Sequence, residues 1–148
     1  MELAYKEAIK AREKDEIPVG AILVDENNNV IAKGHNLKEK NKSAIDHAEI
    51  IVIKKATKKL NTWHLDKTTL YVTLEPCLMC VGAIVWSRIK RIVFGAYDKK
   101  GGMVISNING FELKGLNHKV EFIGGILQEK CGQILTDYFK ELREQSKK

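Results

Sequence analysis

Cysteine, proline, internal repetition and long apolar runs are all scarce in this chain of 148 residues. Three cysteines are too few, and odd in number, for a disulfide framework. A chain of this length buries a core without one, so the thiols point towards metal binding or catalysis. Two prolines leave no proline-rich linker, and no repeat or low-complexity tract divides the sequence. A single domain covering 1–148 is expected. No apolar run reaches the ~18 residues that a membrane-spanning helix needs. The opening residues Met1-Glu2-Leu3-Ala4-Tyr5-Lys6-Glu7 lack the apolar stretch and cleavage site of a secretory signal. Cytoplasmic localisation and reduced thiols are therefore expected.

What the chain does have is the balance of a globular protein, with 44% hydrophobic and 30% charged residues. Lys and Arg number 25 against 19 acidic residues, a formal charge of +6, which favours a polyanionic partner such as nucleic acid. Between 33 and 59, eight lysines stand against Glu39, Asp46 and Glu49. They either meet phosphates around a site or, for Lys54, Lys55, Lys58 and Lys59, form the solvated face of a helix.

Leu3, Ala4, Ala8, Ile9 and Ala11 form an irregular apolar face and predict a helix over 2–15. An apolar run at 19–24 has strand length, Asp25-Glu26-Asn27-Asn28-Asn29 reads as a turn, and Val30-Ile31-Ala32 as the returning strand. A helix is predicted over 47–59, with Ile50, Ile51, Ile53 and Ala56 inward. A strand at 70–74, a short helix at 76–86 and a strand at 91–95 follow. A loop rich in Gly, Asn and Lys covers 98–110, then a last strand at 120–123 and a closing helix at 126–145, with Cys131 as a buried core thiol. His35 is expected to end a strand, and His64, beside Trp63, to lie on the surface. Strands separated by helices predict an α/β sheet covered on both faces, antiparallel at least at its opening hairpin.

The chemistry concentrates in His47-Ala48-Glu49 and Pro76-Cys77-Leu78-Met79-Cys80. One imidazole and two thiolates are good zinc ligands, and three protein ligands leave the fourth tetrahedral position open, as in a catalytic site. Cys77 and Cys80 stand three apart, so both can face one metal from a helix start. The positive end of the helix there favours thiolates, and Pro76 suits such a position. His47 also opens a predicted helix, so His47 and Glu49 can lean over a metal beyond the helix end. Two thiolates and a neutral imidazole cancel the zinc charge and acidify water less than an all-histidine site does. A general base such as Glu49 is then valuable. Two alternatives remain at this point. One is a structural zinc site completed by Cys131 or His118, which leaves Glu49 without a purpose; the other is a Cys77–Cys80 redox pair.

H-x-E paired with P-C-x-x-C is the signature of zinc-dependent nucleobase deaminases. His47-Ala48-Glu49-Ile50, Thr73-Leu74-Glu75-Pro76-Cys77-Leu78-Met79-Cys80 and Ser87-Arg88-Ile89 resemble the bacterial tRNA adenosine deaminases. So do Ile17-Pro18-Val19-Gly20-Ala21, Phe94-Gly95-Ala96 with Asp98, and Asn117-His118. The likeness runs from Ala4 to Arg143. It implies a three-layer α/β/α cytidine-deaminase-like fold around a five-stranded mixed sheet, one Zn2+ per subunit, and a homodimer. It also implies deamination of adenosine to inosine at the first anticodon position, in an arginine tRNA. Carried over, His47, Cys77 and Cys80 bind zinc and Glu49 shuttles protons. Asn36 hydrogen-bonds the flipped nucleoside, the Ala48 amide helps to fix the base, Asp98 lies near a neighbouring ribose, and Phe139 lines the RNA pocket, followed by Lys140 and Arg143. The sequence departs from the resemblance at Ser43-Ala44-Ile45-Asp46 before the histidine, at Tyr97 where an arginine is common, and over 101–110. Deamination of a free base or nucleoside (guanine, cytosine or cytidine) and a non-catalytic zinc-bearing RNA-binding module are the competing readings.

Overall fold

The apolar run near the start becomes β1 (Gly20–Val24), buried along its whole length. Asp25 turns the chain: its side chain accepts hydrogen bonds from the Asn27 and Asn29 amides at 2.8 and 2.9 Å, an Asx turn that leads into β2 (Val30–His35). β1 then pairs antiparallel with both β2 and β3 (Thr69–Leu74), whereas β3 and β4 (Arg91–Ala96), and β4 and β5 (Glu121–Ile123), run parallel. The result is one mixed sheet of five strands in the order β2-β1-β3-β4-β5. The computed structural model describes residues 1–147.

Close approach of helices to the sheet explains two glycines. A Cβ on Gly20 would sit 2.1 Å from the Ala4 carbonyl oxygen in α1 (Glu2–Glu13). On Gly95 it would sit 2.6 Å from Cys131 Sγ in α4 (Gln128–Ser146). Ion pairs Lys130–Glu2 and Arg12–Glu141 tie α4 to α1, so these two helices share one face. Gly34, one residue before the partner of Gly20 in the ladder, points the other way. Its Cβ would meet Ile51 in α2 (Ala48–Leu60) at 2.8 Å. α2 packs with α3 (Leu78–Trp86) on that second face, and the sheet is sandwiched in the three layers expected.

The observed elements follow the sequence pattern with small shifts. β2 runs on to His35, past the expected end at 32, because Lys33, Gly34 and His35 continue the ladder with Ile22, Ala21 and Gly20 of β1. Inside α2, Ile53 and Ala56 are buried as expected, Ala48 and Val52 are buried with them, and Ile50 and Ile51 are only half-buried. Cys131 is fully buried, and His64 lies on the surface stacked on Trp63.

β2 is the outer strand on one side of the sheet. Lys55 and Lys59 reach from α2 and donate to the Lys33 and Ile31 carbonyls of β2 at 2.8 and 3.3 Å. These two cations are therefore engaged along the strand edge, and Lys54 and Lys58 stand exposed beside them.

Candidate metal centre and substrate pocket

His47 and Cys77 are the N-cap residues of α2 and α3, both with extended backbone and neither side chain turned back to cap its own helix. Serine, threonine or aspartate commonly occupies that position to satisfy free amides. Here the side chains project instead over the point where the two helix ends converge. Cys80 adds its thiol from the first turn of α3, where it is fully buried. His47 Nδ1 lies 3.7 Å from Cys77 Sγ and 3.7 Å from Cys80 Sγ. All three donor atoms fall within 4.8 Å of one another. Tetrahedral zinc, with bonds of about 2.3 Å to sulfur and 2.0 Å to nitrogen, spaces its ligand atoms about 3.6 Å apart, so both the donor set and its spacing fit the ion. Among the described residues this is the group able to hold one. Neither Cys131 nor His118 joins it: Cys131 packs under Gly95, and His118 Nε2 bonds the Ile89 carbonyl at 2.8 Å.

The electrostatics of the three donors are those of a shared-proton cluster. Hydrogen bonds from Cys80 and His47 hold the Cys77 thiol down to about 4. Donation to Cys77, with burial, pushes Cys80 strongly upward. The Cys77 contact raises His47. Two positive helix ends facing the cluster favour thiolate character. Glu49 sits one step inside α2, only 4% exposed. Burial raises its carboxyl above the ordinary range.

Above this cluster opens a cavity of about 830 Å³, within the size range of small-ligand sites. Each of the sequence-derived candidates has a definite place around it. His47, Ala48, Glu49 and Cys77 line its floor, Asn36, Asp98 and Phe139 its walls, and Cys80 lies beneath. Asn36 is buried at the end of β2 and accepts a hydrogen bond from the Lys38 amide at 3.1 Å. Asp98 Oδ1 accepts the Lys100 and Gly101 amides at 3.1 Å each. Arg143 reaches the cavity from α4; Lys140 does not.

Three contributors, Lys99, Lys100 and Glu75, had drawn no role from the sequence, whereas Lys38 is among the lysines expected to meet phosphates. Lys38, Lys99 and Lys100 add cations to the wall, and Glu75 adds a buried carboxylate. The adjacent lysines after Asp98 were the visible signal for two of them. Burial pushes the Glu75 carboxyl up, yet hydrogen bonds from Ser106, Ile105 and Asp98 outweigh it and hold the group below the usual carboxylate range.

A family model described as MafB19-like deaminase matches residues 1–143. The tRNA-specific adenosine deaminase of Bacillus subtilis (strain 168) is 50% identical over 147 residues, 99% of this chain and 91% of that protein. The tRNA-specific adenosine deaminase of Aquifex aeolicus (strain VF5) is 46% identical over 143 residues, 97% of this chain and 93% of the relative. A solved structure from work on A-to-I editing by tRNA:A34 deaminases at the wobble position of transfer RNA superposes with a TM-score of 0.88. It is 41% identical and covers 91% of this chain and 97% of its own. A bacterial-type deaminase signature, its three-layer frame and near-full-length identity agree: the chain belongs to the tRNA-specific adenosine deaminase family.

Proposed function

We propose that this protein deaminates adenosine to inosine at the wobble position of a tRNA anticodon, with an arginine tRNA as the substrate. The observation that carries the reading is the meeting of His47, Cys77 and Cys80 at 3.7 Å spacing with the buried Glu49 at the floor of an open pocket.

His47, Cys77 and Cys80 would hold one zinc ion. Zinc there would supply Lewis acidity and make an attacking water more acidic. The Glu49 carboxylate would accept a proton from the attacking water and hand it to N1 of the adenine, which makes C6 electrophilic. Oxygen bonds to C6, a second proton passes through Glu49 to the amino group, the C6–N bond breaks, and ammonia leaves. Burial suits Glu49 to the work, because a carboxylate with a raised pKa takes a proton more readily than an exposed one, and its protonated form persists nearer neutral pH for the return step. Asn36 and the Ala48 amide orient the base. Asp98 and Phe139 contact the flanking nucleotides. Lys38, Lys99, Lys100 and Arg143 ring the mouth with positive charge suited to phosphates. Flipping a base out of a loop costs less than out of a duplex, which suits an anticodon.

The test is inosine formation in an arginine-tRNA anticodon stem-loop bearing a wobble adenosine. Zinc-loaded protein is expected to convert it. A folded, zinc-loaded protein that leaves the stem-loop untouched but deaminates guanine, cytosine or cytidine would move the substrate to a free base or nucleoside.

A single-domain, cytoplasmic homodimer fits this reading. No helix among the described residues is long and apolar enough to cross a membrane. On α3, Val81, Ile84 and Val85 are buried in the protein's own core, whereas Leu78, Gly82 and Trp86 share the outward face. Trp86 is 75% exposed, and no atom lies within 4 Å of the space above Gly82. Such an apolar face suits a second copy of the chain. Trp86→Glu is expected to give a monomer by sedimentation equilibrium. A dimer that persists unchanged would place the interface elsewhere.

A further inference from the structure

One buried carboxylate has no part in the proton transfers. Glu75 is 2% exposed and immediately precedes Pro76-Cys77. Its Oε2 accepts the amides of Val104, Ile105 and Ser106 at 3.1, 2.8 and 2.9 Å. Its Oε1 accepts the Asp98 amide at 3.1 Å and the Ser106 hydroxyl. Every one of these donors belongs to the segment 98–106, which forms no helix or strand of its own.

The segment is folded around that anion. The Gly102 amide bonds the Asp98 carbonyl at 2.9 Å, and the Met103 amide bonds the Pro76 carbonyl at 2.9 Å. Asn107 Nδ2 donates to the Lys99 and Gly102 carbonyls at 3.1 and 2.9 Å. Gly102 passes so close that a Cβ there would lie 2.4 Å from the Glu75 carboxyl carbon. The outer side of the same segment presents Asp98, Lys99, Lys100 and Gly101 to the pocket. Removing the carboxylate would leave several backbone donors without partners, and a loop rich in glycine has many other conformations to occupy.

We propose that Glu75 is a positioning residue for the substrate: its carboxylate holds 98–106 in one folded wall, so that Lys99 and Lys100 stand ready for the RNA. This rests on the reading of the pocket as an RNA deaminase site. A preformed wall spares the RNA the cost of ordering the loop as it binds. Glu75 touches neither the reacting base nor the proton path, so its loss acts on binding rather than on the chemical step.

Glu75→Gln in the zinc-loaded protein tests this. The carboxamide keeps the size but turns one acceptor into a donor facing backbone amides. Deuterium exchange at 99–106 is expected to quicken. If the folded wall falls to a tenth of the population, KM for the stem-loop rises about tenfold, while kcat and zinc content stay near those of the wild type. Ser106→Ala removes a single donor and is expected to shift exchange and KM the same way but less, which keeps the question open to test should the glutamine variant fold poorly. Unchanged exchange and KM would overturn the proposal. So would a loss of kcat at constant KM, which would place Glu75 in the service of the metal centre. A wild-type protein inactive on the stem-loop would sink the RNA reading alone, and exchange would still report whether Glu75 holds the loop.

Discussion

Glu49→Ala is expected to lower inosine formation on the anticodon stem-loop by about 10²–10⁴-fold, the usual worth of a positioned proton carrier, while zinc stays bound at the wild-type ratio. Two facts set the sign of each half. Glu49 is separate from the three donors that meet at 3.7 Å, so its removal leaves the metal set complete. It is also the buried carboxyl two residues from His47, and no other acid among the described lining residues shares the floor with it: Glu75 and Asp98 are occupied by loop amides. Stability should change little, because losing a buried carboxyl with a raised pKa offsets part of the cavity left behind. Single-turnover measurement of inosine, with elemental analysis of the same sample, checks both halves. Substantial turnover in a zinc-loaded alanine variant would remove Glu49 from the mechanism.

Cys77→Ser is expected to lose most of its zinc and to melt about 10 °C lower. A serine hydroxyl is not a thiolate at neutral pH, so the tetrahedral set drops from three good ligands to two. Zinc bound at a thousandfold excess over its dissociation constant stabilises the folded state by about 4 kcal/mol. Each kcal/mol shifts the melting temperature of a chain this size by about 2–4 °C. The ion would also tie together the start of α2 and the start of α3, which hold the metal set from separate parts of the chain. Metal binding needs deprotonated ligands and releases their protons, so affinity in the wild type falls as pH falls. Chelation of the wild type should reproduce the lower melting temperature. Stoichiometric zinc in the serine variant would contradict the ligand assignment.

The metal set was legible because its signals are local. Residue types and short spacings name the donors, and a helix start predicted at each one tells where they converge. What the spacing could not say is that His47 and Cys77 are N-caps, with the ligand side chain standing where a capping hydroxyl would be. The sheet was legible from runs of strand length, and its mixed character from one hairpin. The order β2-β1-β3-β4-β5 was not, since strand order depends on contacts far apart in sequence. Glu75 stayed silent for a different reason. Four of its five donors are backbone amides, which leave no mark in residue identity. The lysines of α2 show the same limit. Their spacing fits a solvated face, yet two of them bond carbonyls of a strand whose position as the outer one only the fold reveals.

Those two lysines bear on how the protein behaves in a crowded solution. An outer strand with free carbonyls is a template on which another molecule's strand can add, and sheets that continue from copy to copy aggregate. Lys55 and Lys59 occupy acceptors on that template with flexible, charged arms, and Lys54 and Lys58 surround it with further charge of one sign. Part of the chain's excess of positive charge thus acts against self-association. It keeps separate copies apart at the edge of β2, on the strand's far side from β1, and leaves the cations at the pocket mouth to meet the nucleic acid.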